Sequence, residues 1–339
     1  MVRYRGPALL IGSLGALLVL LCLLSLALGA LSIPLDQVVQ TLTGHDVDRT
    51  TGNVIWSVRA PRTALGLAAG AALGVSGALM QALTRNPLAD PGLLGVSAGA
   101  AFAIVAAMAL LGVTSLFGFI WFALAGALLT SLVVYALARL GRSGLTPVKL
   151  ALAGIAVTSL LFSVTNAIIL IDPESLNRYR FWSAGSLAGQ TGEVVLQILP
   201  FVAAGTLIAL ACAPALNSLA LGDDVATSLG RRPALVRAAG VIAIMLLTGA
   251  AVAVIGPVVF LGLVVPHVAR VLAVRAGVGP DHRWLLPISA LLAPILLLTA
   301  DLAGRLAARP AEIQAGVLIA FIGGPFFIAL VRRRRLAEL

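Results

Sequence analysis

Three arginines offer the clearest chemistry in this sequence. Arg59 and Arg62 bracket the word RAPR, and Arg305 closes ADLAGR. A guanidinium is a planar fork of donors that pairs bidentately with a carboxylate, so the chemistry on offer is recognition of acidic groups. Asp301 stands four residues before Arg305, on the same face of a helix, and can orient it. Two readings stay open: the three arginines form a docking surface for acidic side chains, or they are simply solvated.

A second charged word lies at 217–235, NSLALGDDVATSLGRRPAL. It is too polar to cross a membrane. A short helix from Asp223 to Leu229 fits it, stopped at Gly230 and followed by Pro233. Asp223 and Asp224 favour the N-terminal end of the helix dipole, and Arg231 and Arg232 follow its C-terminal end. It is either an ordinary connecting loop or a helix on the membrane surface that fits into a cytoplasmic ATPase.

Enzyme chemistry has no such candidates. His45, His267 and His282 lie in three separate regions, with no HExxH and no CxxC. We assign no catalytic residue and no metal ligand. A P-loop is missing too, so ATP hydrolysis would have to come from another chain. Cys22 and Cys212 sit inside apolar runs and read as packing residues. The net charge of +10 tempts a nucleic-acid reading, but only Lys149 among the 23 basic residues is a lysine, and the arginines are scattered over loops. No nucleic acid is expected.

These residues must be positioned by membrane spans. Of 339 residues, 60% are hydrophobic and 11% charged, against about 25% charged in an ordinary soluble domain. The mean hydropathy is +1.08. The stretch from Thr63 to Thr84 has 22 residues without a charge, about 33 Å of helix against a bilayer core of about 30 Å. Long apolar runs exclude a β-barrel. The run Pro7 to Leu35 is too long for a signal-peptide core, so it reads as a span. Ten spans fit, at 8–31, 63–84, 93–111, 116–138, 149–171, 194–216, 236–255, 257–274, 284–301 and 313–331, with Gly256-Pro257 breaking one long uncharged window. The expected fold is all-α, one transmembrane domain over 1–339, in the lipid bilayer.

Ten spans place both termini on one side. With the N-terminus inside, 16 of the 23 basic residues and 5 of the 13 acids fall inside, so the inner face carries +11 and the outer face −1. That asymmetry puts both termini in the cytoplasm. The second span carries Gly66, Gly70, Gly74 and Gly77, small residues at spacings that let helices approach closely. GAALGVSG at 70–77 and GAAVAVIG at 249–256 agree at five of eight positions and cross in opposite directions, as an inverted repeat would. Carboxylates inside spans are scarce: Asp301 and Asp172 sit at span ends. That argues against ion coupling and for energy from a partner.

Longer words carry a family resemblance. RAPR at 59–62, GALMQALTRNPLADPGLLGVSAGA at 77–100, LALAGIA at 150–156, ALGDDVATSLG at 220–230, GPVVFLGLVVPHVARVL at 256–272, DHRWLLP at 281–287, ADLAGR at 300–305 and the ending FIGGPFFIALVRRR run from the second span to the C-terminus. On these the chain resembles the iron-siderophore and cobalamin class of ABC importer permeases, the FecCD family. The resemblance implies ten spans per subunit, two permease subunits around one pathway, an ATPase dimer inside and a binding protein outside.

Carried over by motif, Arg59, Arg62 and Arg305 would bind acidic residues of the extracytoplasmic binding protein. Asp223, Asp224, Ala226, Leu229 and Gly230 would form the helix that couples to the ATPase. Thr146 and Pro147 fall at the cytoplasmic gate, although Pro147 stands where a small polar residue is expected. His267, after Pro266, reads as structural. No cofactor is implied for this chain, since ATP and magnesium would be held by the partner ATPase. The outer word RFWSAGSLAG at 180–189 looks like the siderophore branch. The resemblance thus favours a ferric catecholate, enterobactin-like substrate and a heterodimer with a related permease in the cell (inner) membrane. The alternatives are a haem or cobalamin permease of the same family, or an ion-coupled secondary transporter.

Overall fold

The computed structural model describes residues 5–29, 32–45, 48–113, 115–140, 147–171, 179, 182–309 and 311–332. Its elements are helices throughout. In chain order they are α1 (Arg5–Ala27), α2 (Leu35–Leu42), α3 (Arg49–Asn53), α4 (Ala60–Thr84), α5 (Val96–Leu111), α6 (Leu116–Arg139), α7 (Pro147–Ile171), α8 (Gly192–Ala220), α9 (Asp223–Ser228), α10 (Pro233–Ile255), α11 (Leu261–Arg275), α12 (His282–Ala307) and α13 (Ala315–Arg332). Each of the ten expected spans meets one of these helices. Seven are long and apolar enough to cross a membrane, and α5 and α13 are shorter apolar helices.

The centre of the bundle is α4, packed on α8, α10, α11 and α12. Its apolar window is 78% buried, against 22% for those of α1 and α7. The glycine spacing explains the close packing. A Cβ on Gly77 would lie 2.1 Å from the Gly262 carbonyl oxygen, and one on Gly74 would lie 2.5 Å from that of Ser289. Backbones of α4, α11 and α12 therefore touch where a methyl group has no room. The peripheral helices leave Leu129, Leu160 and Leu207 exposed, as the lipid-facing side of a membrane bundle requires.

One boundary differs from the sequence reading and another agrees with it. RAPR was expected to start a span, but helix continues upstream of it: α3 leads into a π-helical stretch, Val54–Arg59, and then α4. Pro61 explains the change of pitch. It has no N–H and its ring crowds the preceding turn, and widening that turn by one residue accommodates it. The Ala60 N–H accordingly bonds back to the Ile55 carbonyl. At the other break, α10 stops at Ile255 as expected. Gly256 turns through a φ of 75°, and a Cβ there would lie 1.9 Å from the Trp182 carbonyl oxygen.

The hairpin after α4 also sits deeper than expected. Arg85 takes a left-handed conformation with φ 49°, the Asn86 side chain accepts from the Leu88 N–H at 2.9 Å, and Asp90 accepts from Gly92 at 2.8 Å. The chain then turns back into the bundle. Asp90 lines a cavity of about 20 Å³ with Leu73, Ser97 and Thr248. Leu73 lies 11 residues before the end of α4, about 16 Å along the helix. The sequence reading placed Asp90 in an inner loop, and the structure turns it into the protein. Scarcity of carboxylates within the span segments therefore understates what the bundle holds.

The two repeat segments lie on α4 and α10, which pack against each other. Leu83, near the end of α4, meets Gly240, near the start of α10, so the two helices run in opposite directions.

Candidate functional site

Arg59, Arg62 and Arg305 converge at the outer end of the bundle, but they are not solvated. Their exposures are 5%, 8% and 3%. Burial of three cations needs an account, and α1 provides most of it. Its C-terminus points outward, with carbonyls that have no helical partner and a negative dipole end. Arg59 donates to the Leu26 and Ala27 carbonyls at 2.6 and 2.8 Å. Arg305 donates to the Ser25 carbonyl at 3.0 Å, the Leu28 carbonyl at 3.4 Å and the Ser25 hydroxyl at 3.2 Å. Gly29 makes room, since a Cβ there would stand 3.0 Å from an Arg59 nitrogen. Two arginines thus close the end of the first span, which gives basic residues a task on the outer face despite the topological bias.

Asp301 ties the group together. It is 1% exposed and accepts from Arg305, as the spacing within the helix suggests, and also from Arg62 at 2.7 Å. Arg62 divides its fork. One edge holds Asp301, and the remaining nitrogen, Nη1, donates to Glu312 at 2.7 Å. Glu312 is the partly open member, with its side chain 36% exposed against 10% for Arg62. Among the described residues, three arginines and two carboxylates make up this group.

Arg62 and Glu312 also form part of the wall of a cavity of about 570 Å³. Its other walls are Met108 from α5, Phe119 from α6, the backbone end of α10 at Ala253 to Ile255, and the segment around Trp182 and Gln190. That volume is within the range of small-molecule sites, about 300–1,000 Å³. The Trp182 indole N–H donates to the Ala253 carbonyl at 3.2 Å and the Gln190 amide to that of Val254 at 3.2 Å. These two bonds satisfy carbonyls left open where Gly256 ends α10. The part of RFWSAGSLAG that falls within the described residues is therefore built onto this cavity.

At the inner end, the expected surface helix is present as α9. Its stop is a Schellman cap: the Arg231 N–H reaches the Ala226 carbonyl and the Gly230 N–H that of Thr227, both at 2.9 Å, with Gly230 at φ 75°. Ala226 is fully buried, while Asp224, Val225 and Leu229 are exposed. Asp223 faces inward along the surface. Arg237 donates to its two oxygens at 2.8 and 2.7 Å, and Arg85 donates to one of them. Hydrogen bonds from Arg237 first, and then Arg85, hold its carboxyl below the usual range. Asp223 thus ties α9 to the inner ends of both α4 and α10. The start of the 217–235 word belongs to α8, which runs to Ala220.

The remaining sequence candidates are dispersed. Thr146, Asp172, Arg180 and Phe181 lie outside the described residues, and Pro147 is the first residue of α7. His267 packs edge-on against Phe326, with ring centroids 5.7 Å apart. Among the described residues no group of three or more His, Cys, Asp or Glu could hold a metal. Sequence reasoning missed Glu312 as a site residue. Its signal was faint, an acid seven residues beyond Arg305 in a segment with no motif of its own.

Comparison with known proteins places the chain in a family. Residues 17–333 match the FecCD transport family. The chain is 47% identical over 332 residues to the ferric enterobactin transport system permease protein FepD of Escherichia coli, covering 96% of each. It is 38% identical over 334 residues to the hemin transport system permease protein HmuU of Yersinia pestis, covering 97% of each. A solved inward-facing conformation of a metal-chelate type ABC transporter superimposes with a TM-score of 0.81 at 30% identity, covering 96% of this chain and 99% of that one. Together with the apolar spans, this makes the chain a multi-pass permease of the inner membrane, serving a metal-chelate ABC importer. By sequence and by fold, the chain belongs to the FecCD transport family.

Proposed function

We propose that this permease carries a ferric siderophore of the catecholate, enterobactin-like class. The observation that carries this reading is its 47% identity, over nearly the whole chain, to a ferric enterobactin permease. It pairs with a related permease, and an ATPase dimer on the inner face supplies energy from ATP and magnesium. A loaded binding protein docks on the outer end, where Arg59, Arg62 and Arg305 gather. ATP turnover moves α9, whose exposed Asp224, Val225 and Leu229 offer a surface to the ATPase. Asp223 passes that motion to α4 and α10. The gate lies near Thr146 and Pro147. The reaction on this chain is translocation, with the bond-breaking step left to the ATPase.

Uptake competition tests the substrate. Cells relying on this permease should take up a ferric tris-catecholate, and excess unlabelled ferric catecholate should block it while haem and cobalamin do not. Block by haem or cobalamin alone would move the reading to those substrates. Co-purification from native membranes tests the assembly. An ATPase and a second, related permease should come with the tagged chain, and recovery with the ATPase alone would argue for a homodimer.

A further inference from the structure

The outer arginines pose a conflict. Docking needs a guanidinium that a partner can reach, yet all three are buried. Their partners are not equally replaceable. Arg59 and Arg305 hold the carbonyl end of α1, which would lose its cap if they let go. Asp301 is enclosed, at 1% exposure, and is shared by Arg62 and Arg305. Glu312 differs on every count. Its side chain is 36% exposed, it meets the group through Arg62 alone among the ion pairs of the described residues, and it sits in a non-helical segment between α12 and α13.

We propose that Glu312 is a built-in stand-in for an acidic side chain of the extracytoplasmic partner, exchanged for that side chain on docking. The inference rests on the docking reading above and goes further by naming the bond that breaks. In the undocked state Glu312 neutralises Arg62 and keeps its Nη1 paired at 2.7 Å. A carboxylate arriving from outside competes with Glu312 for one edge of the Arg62 guanidinium. It takes over Arg62 Nη1, and Glu312 is released to solvent. The exchange conserves the number of charge-assisted hydrogen bonds, so its cost is small and its direction follows the local concentration of partner carboxylate. The same pair lines the cavity of about 570 Å³, so the exchange alters that wall at the moment a substrate is presented. The chemistry fits a protein with a surface-exposed Asp or Glu at the rim of its docking face.

The test uses the full complex in lipid nanodiscs, with partner permease and ATPase, binding the siderophore-loaded binding protein. Glu312→Gln removes the competitor's charge at constant shape, and Glu312→Ala removes the competitor. Both should bind the partner about three- to ten-fold more tightly than the parent, the worth of a partly exposed ion pair. Glu193→Gln removes an exposed acid at the start of α8, and should change affinity by less than about two-fold because no ion pair among the described residues joins it to Arg62 or Arg305. Unchanged or weaker binding by both Glu312 variants overturns the exchange while leaving docking intact. An equal gain from Glu193→Gln overturns it too, since the effect would then be bulk charge. Failure of both variants to assemble makes Glu312 a structural clamp and also overturns it. If the parent itself does not bind the loaded protein, the docking reading falls, and this inference with it.

Discussion

At the scale of single residues, the outer end is governed by the cost of burying charge. Asp301 is the carboxylate that makes Arg62 and Arg305 tolerable, and removing one partner of a buried pair leaves the other uncompensated. Asp301→Asn should therefore destabilise the protein by about 3–5 kcal/mol, seen as a large fall in melting temperature in nanodiscs; a parent-like melting curve would contradict the assignment. At the inner end, Asp281 caps α12 through the Arg283 N–H at 2.9 Å. Burial opposes its ionisation, but hydrogen bonds from the Arg283 side chain and backbone and from Asn217 outweigh it and bring its pKa to about 2. Because the folded value is depressed, the contribution to stability is complete above the ordinary value of 3.8 and is lost as pH falls towards about 2. Asparagine caps nearly as well as aspartate. Melting curves of the parent and Asp281→Asn should therefore differ at neutral pH and converge between about pH 4 and about pH 2; a constant difference would contradict it. Residue types told part of this in advance. That arginine and acid would pair was legible, and the Asp301–Arg305 spacing named one pair. The capping of α1 by Arg59 and Arg305 was not, because it joins residues 33 and 280 positions apart through backbone carbonyls that sequence does not mark.

At the scale of elements, the sequence was most informative where a residue type leaves the backbone little choice. Gly256-Pro257 ends α10 and Gly230 ends α9, and both stops were readable. The glycine row of α4 foretold close packing without naming the neighbours, which are α11 at Gly77 and α12 at Gly74. Gly77→Val should push α4 from α11 and sharply lower the yield of assembled transporter. Gly12→Ala in α1, where a Cβ meets nothing within 4 Å, should leave it unchanged. Gel filtration of both variants checks this, and equal yields would contradict the packing. The re-entry of Asp90 was illegible, since a polar hairpin word reads as surface whether or not its turn folds back into the bundle. Coupling also belongs to this scale. Asp223→Ala cuts the tie from α9 to α4 and α10. It should keep ATPase assembly while reducing the stimulation of ATP turnover by the loaded binding protein by at least about five-fold, roughly 1 kcal/mol of coupling; full stimulation would remove Asp223 from the path.

At the scale of the whole molecule, one helix spans the distance between the two charged ends. Arg62 stands in the first turn of α4 and Arg85 just past its end, about 34 Å apart along its axis. Arg62 belongs to the outer group and Arg85 to the inner tie at Asp223. The enclosed α4 is therefore the natural route by which events outside and inside inform each other. The class was legible from the chain alone, because ten apolar runs and a lopsided arginine count are properties of the whole sequence. The 570 Å³ cavity was not foreseeable, as its walls come from six parts of the chain. The central claim is ATP-driven transport of a ferric siderophore, and uptake by sealed proteoliposomes tests it most directly. This chain, its partner permease and the ATPase would be reconstituted with the binding protein outside and ATP with magnesium in the lumen. Radio-iron presented as a ferric catecholate should accumulate only when hydrolysable ATP is enclosed, and a proton or sodium gradient should not replace it. Accumulation driven by an ion gradient without ATP, or no accumulation of any ferric siderophore under ATP turnover, would contradict the account.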